Sequence, residues 1–207
     1  QLVDKEDIPD AAFKILASSA NNEKLESKEL TQIVKCLLKP ADPQFLSPII
    51  DALIIIESRG DRLVLRSGKD SFLKNNRKLD QFHHALVELA KGDPKLPKTK
   101  WAYSGIVDIS SRKNANAEAK ANATAFIQDC WNTPSKKALL ITVLVDLRNR
   151  SYDDQILVAS KDSDPGVKQA AVRAMRHFKI EETNKDTSPK VASLPTDQVL
   201  SQVKAMK

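Results

Sequence analysis

Glycine is scarce, with five in 207 residues, and aromatic side chains make up only 5% of the chain. A β-sandwich or barrel needs turn glycines at short intervals and draws its strands from aromatic and β-branched residues, so this composition argues against an all-β fold. Cysteine is nearly absent. Cys36 and Cys130 stand far apart, each on a predicted helical face, which reads as two buried free thiols and no disulfide framework. There is no CxxCH haem-attachment motif and no zinc-type Cys/His spacing. Long apolar runs are missing too: the longest, residues 49–56, is broken by Asp51 and falls far short of a bilayer span. What remains is rich in Ala, Leu, Lys and Glu at helical spacing, which predicts an all-α protein.

The charge is uneven. Residues 1–57 carry six basic and ten acidic side chains, whereas residues 58–78 carry seven basic and two acidic ones. The basic residues of that second segment are Arg59, Arg62, Arg66, Lys69, Lys74, Arg77 and Lys78. They form a candidate patch for an anion or a binding partner. Residues 91–113 add a further net charge of +4, so the basic character is a band across the middle of the chain. Phe72 and Trp101 lie within this band but are too sparse for a platform on which bases stack. Solvated loops that merely keep the protein soluble are the plainer reading of the same charges.

One stretch, DPGVKQAAVRAMRHF at residues 164–178, states a local structure most fully. Asp164 caps a helix and Pro165 suits its first turn. From Pro165, offsets of 6, 9, 10 and 13 give Ala171, Ala174, Met175 and Phe178, one apolar helical face. The same offsets from Pro134 give Leu140, Val143, Leu144 and Leu147, and from Pro43 they give Ile49, Ala52, Leu53 and Ile56. All twelve positions are apolar, which identifies an internal repeat. A preceding helix is predicted for each: residues 26–38, 116–131 and 153–160, with a further pair at 79–90 and 98–110. The last of these is degenerate, because Gly105 interrupts its apolar pattern. Residues 9–20 read as a lone helix on the amino-terminal end. Residues 58–78 read as a basic insertion, a loop with a short regular piece at residues 63–65.

Candidate chemistry is thin. Ser67-Gly68-Lys69-Asp70 lacks the upstream glycine of a phosphate loop, and Asp70 replaces the magnesium-binding hydroxyl. No GxSxG elbow occurs. Cys130 beside a histidine would be needed for nucleophilic chemistry. His83 and His84 are adjacent, so on a regular helix they point about 100° apart and do not chelate one ion together. Asp80 and His84 are spaced for a surface hydrogen bond. These residues predict no catalytic group, cofactor or metal site.

The repeated pattern over residues 26–178 resembles HEAT repeats. That resemblance implies a HEAT/armadillo-like α-α superhelix, a right-handed solenoid of about four helix pairs. It also implies a non-catalytic scaffold or protein–protein interaction module; the alternative is a nucleic-acid-binding helical repeat using the basic band. On this reading residues 1–178 form the repeat domain, and residues 179–207 a polar linker and short amphipathic helix bearing Val199, Leu200, Val203 and Met206. The tail PKVASLPTDQVLSQVKAMK resembles the connector before a c-type cytochrome domain in large exported bacterial multidomain proteins. That second resemblance implies a periplasmic or exported polypeptide in which an adjacent haem domain, or another protein, is the partner.

Overall fold

A computed structural model describes residues 10–181, so the tail helix proposed on Val199, Leu200, Val203 and Met206 lies outside the described residues. Among the described residues all regular structure is helical. In chain order the helices are α1 (Asp10–Ser19), α2 (Ser27–Leu37), α3 (Leu46–Ser58), α4 (Arg62–Phe72), α5 (His83–Ala90), α6 (Pro97–Ser111), α7 (Ala117–Cys130), α8 (Pro134–Leu147), α9 (Asp153–Ala159) and α10 (Pro165–Phe178). Short 3-10 turns at Pro43–Phe45 and Leu79–Phe82 lead into α3 and α5.

The starts of these helices follow from local chemistry. Glu26 and Glu29 form a reciprocal capping box at α2. Asp61 accepts from Val64 N at 3.1 Å, and Asp164 accepts from Val167 N at 2.9 Å. Such caps satisfy backbone N–H groups that the first helical turn leaves without partners. Prolines occupy the first turns of α6, α8 and α10, where their missing N–H costs nothing.

Of the twelve repeat positions, ten are buried; only Leu147 and Met175 are half-buried. The helices carrying them are in contact along a chain: α3 packs on α6, α6 on α8, and α8 on α10. The helices before them pack in front, α2 on α3, α5 on α6, α7 on α8 and α9 on α10, with α5 also touching α7. One continuous apolar core runs from Phe13 to Phe178.

The structure departs from expectation in two places. The segment read as a degenerate helix is a regular and central one. Nine of the fifteen residues of α6 are buried, Gly105 among them. Counting from Pro97, the repeat offsets fall on Tyr103, Ile106, Val107 and Ser110, so α6 is a further copy of the pattern with a tyrosine and a serine at its ends. Residues 62–72, expected to be mostly loop, form the eleven-residue α4, which packs on α2 and α3. Val64, Leu65, Gly68 and Phe72 make its inner face at helical spacing. Gly68 belongs there because an added Cβ would meet Leu53 Cδ2 at 2.9 Å.

Candidate functional site

The carboxy-terminal half of α4 stands opposite the end of α8, with α6 as the floor between them. The resulting cleft has a volume of about 730 Å³. α4 supplies Arg66, Lys69 and Asp70, the turn after it Lys74, the floor supplies Asp108, and the far wall supplies Asp146, Arg148 and Arg150.

Each wall is fixed by backbone bonding. α8 ends with Asn149 N donating to Leu144 O at 2.9 Å and Arg148 N donating to Val145 O at 3.0 Å. This is a Schellman ending, and Arg148 takes the left-handed position at φ 54° that glycine usually fills. Asn149 Nδ2 then donates to Ser111 Oγ at 2.7 Å, fastening the turn to α6. Arg150 is braced by Asp153 Oδ2 at 2.7 Å and lies 6.0 Å from the centre of the Phe178 ring. On the opposite wall, Arg112 donates to Leu73 O, to Asn76 O at 2.6 Å and to Asp108 at 2.6 Å, closing the end of α4 against α6.

The charge balance of the cleft turns on where its carboxylates find partners. Asp108 pairs with Arg112, and Asp146 pairs at 2.9 Å with Lys100; neither cation lines the cleft. Of the cleft's cations, Lys74 at 3.3 Å and Arg66 at 3.9 Å pair with Asp70, and Arg150 pairs with Asp153 from outside the lining, which leaves Lys69 and Arg148 without a salt bridge among the described residues. The Arg148 guanidinium makes no hydrogen bond or ion pair among the described residues, its backbone N–H being used in the helix ending. The cavity is therefore left electropositive. Lys69 reaches toward Asp146 O at 3.4 Å from a half-buried position. Burial holds its ammonium below the ordinary lysine range, partly opposed by the Asp146 carboxylate.

The basic band is thus not one patch. Arg66, Lys69 and Lys74 enter the cleft. Arg59 donates to Leu25 O and Glu23 O, tying the end of α3 to the turn before α2, and Lys78 donates to Lys39 O at 3.4 Å. Arg62 and Arg77 are exposed. The cleft's other cations, Arg148 and Arg150, were not in the predicted set. Their one sequence signal is an arginine where a helix-ending glycine would be expected, directly after the last apolar position of the Pro134 repeat.

Phe72 and Trp101 are buried and packed edge to face at 6.0 Å, so neither presents a ring to a ligand. Trp101 Nε1 donates to Glu57 at 3.1 Å. Both cysteines are buried free thiols, as expected. The Cys130 thiol donates to Tyr103 Oη at 3.5 Å, and burial pushes it up to about 11, the opposite of what a nucleophile needs.

No helix among the described residues is long and apolar enough to cross a membrane. Compared with family models, with curated proteins and with solved structures, the chain finds no match.

Proposed function

We propose that the chain is a HEAT-like right-handed α-solenoid that serves as a binding module, and that its cleft receives an acidic, extended segment of a protein partner or neighbouring domain. The repeat offsets from Pro43, Pro97, Pro134 and Pro165, and the line of contacts α3–α6–α8–α10, support the solenoid reading. α4 is then an extra helix laid over the first pair, and the cleft exists because it does.

The observation that carries the functional reading is the cleft's excess of cations, with Asp108 and Asp146 neutralised by Arg112 and Lys100 from outside it. A volume of about 730 Å³ suits a few residues of an inserted chain better than the width of a duplex. The nucleic-acid alternative would need a continuous row of cations along the backbone of the nucleic acid. Arg59 and Lys78 are instead engaged with carbonyl oxygens of the protein.

Fluorescence anisotropy with a labelled glutamate-rich peptide and a labelled duplex DNA, each at two salt concentrations, tests this reading. Saturable one-to-one peptide binding, tighter than the DNA at the higher salt, is expected. DNA binding that exceeds peptide binding under both conditions would favour the nucleic-acid alternative.

A further inference from the structure

His83 is the first residue of α5 and follows directly on the 3-10 turn Leu79–Phe82. His83 itself has helical backbone angles (φ −57°, ψ −42°), so any approach of the two rings is made by their side-chain rotamers. The His83 and His84 rings lie with centroids 3.9 Å apart and planes inclined by 38°. Glu118, in the first turn of α7, comes in from across the helix contact, its carboxylate 3.7 Å from His84 Nε2. One ligand atom from each of His83, His84 and Glu118 lies within 4.8 Å of the other two. The expectation that the two histidines point apart is therefore overturned, and Asp80 pairs differently from expectation as well.

Asp80 sets up the cluster. Its backbone oxygen is 2.7 Å from His83 Nδ1, and its carboxylate accepts from Asn116 N, the cap of α7, at 3.0 Å. With Nδ1 donating to a carbonyl, the neutral ring carries its lone pair on Nε2. That Nε2 is buried and has no hydrogen-bond partner among the described residues. A buried acceptor left without a partner is costly, and the arrangement of one ring nitrogen on a carbonyl and the other bare is how proteins hold a histidine ready for a metal.

We propose that His83, His84 and Glu118 bind a divalent cation of the zinc class, which ties α5 to α7. Two imidazoles and one carboxylate suit a borderline cation rather than magnesium or calcium, and three protein ligands leave a fourth position for water. Bonds of about 2.0–2.2 Å place tetrahedral ligand atoms about 3.3–3.5 Å apart, so the cluster contracts modestly on binding. The His84 and Glu118 side chains are 75% and 69% exposed and free to make that movement, whereas His83 is already fixed by Asp80.

The test uses the full chain without an affinity tag, in which His177 is the only other histidine. Zinc competition against a chromophoric chelator should give one site per chain, and cobalt should give the visible absorption of a four-coordinate ion. His84→Ala and Glu118→Gln, both at exposed positions, should each weaken zinc by about tenfold or more, whereas His177→Ala should leave it unchanged. Millimolar magnesium should not displace the zinc. Absence of zinc binding at micromolar concentration, or binding that survives His84→Ala and Glu118→Gln undiminished, would overturn the proposal.

Discussion

Gly105 on α6 faces Leu86 on α5 so closely that a Cβ at residue 105 would lie 2.9 Å from both Leu86 methyl carbons. Leu86 is fully buried, so its methyl groups could shift only by displacing the core around them. The glycine that breaks the apolar pattern in the sequence is therefore what lets these two helices touch.

A double-mutant cycle should expose that contact. Gly105→Ala gains about 1 kcal/mol of helix propensity but meets an overpacking cost of about 1–3 kcal/mol, so its net effect is loss of stability. In a Leu86→Ala background, itself weakened by about 2–5 kcal/mol, the same alanine should become stabilising. Urea unfolding of the four proteins measures the change of sign.

Arg112 should matter more than its surface position suggests. Its guanidinium serves Leu73 O, Asn76 O and Asp108 together, with a side chain only 20% exposed. Arg112→Met takes the side-chain donor from Leu73 O, leaves Asn76 O with Leu79 N alone, strips Asp108 of its cation, and should cost about 1–3 kcal/mol. Amide exchange should quicken first in α4, and acidic-peptide binding should weaken with it.

Asp162 gives a pH dependence with a definite sign. The Lys137 ammonium, bonded at 2.6 Å, and the Asp164 N–H hold its carboxyl below the ordinary value of 3.8. The folded chain binds that proton more weakly than the unfolded one. The stabilisation is therefore present at neutral pH and fades as pH falls through the folded value. Asp162→Asn should lower the melting temperature at pH 7, and the gap from the wild type should close progressively below about pH 4.

Lys69 should separate binding from stability. Its charge is held in a half-buried site against a desolvation cost, so Lys69→Met should leave the melting temperature unchanged or raise it. The same substitution should reduce affinity for an acidic peptide. Thermal unfolding and peptide titration on one sample decide both.

The helical rows were legible in the sequence because they rest on short-range rules. Pro43, Pro134 and Pro165 mark helix starts, and the residues at fixed offsets from them are the ones that pack. The same rules found the helix of α6 but not its membership in the repeat, because Tyr103 and Ser110 stand where the other copies carry Ala, Leu, Ile or Phe. Gly105, read as an interruption, and Gly68, weighed only as part of a phosphate loop, both owe their value to a neighbour the local sequence does not contain. The cleft was half visible. Arg66, Lys69 and Lys74 announce themselves as charge, but Arg148 and Arg150 join them only because α4 and α8 meet across α6. The His83–His84 pair was misjudged because helical spacing fixes where the Cβ atoms point but not the side-chain rotamers, which bring the two rings together.

Arg148→Gly tests the central claim most directly. Arginine at φ 54° is conformationally unfavourable there, and its guanidinium has no internal partner among the described residues, which leaves that group for the ligand. Glycine should relieve the backbone and stabilise the fold by about 0.5–1 kcal/mol. Titration with the labelled acidic peptide should show affinity reduced by about tenfold, the worth of one charge-assisted contact, with Arg77→Ala as the unaffected control. An Arg148→Gly protein that is more stable and binds the peptide as tightly as the wild type would contradict the account.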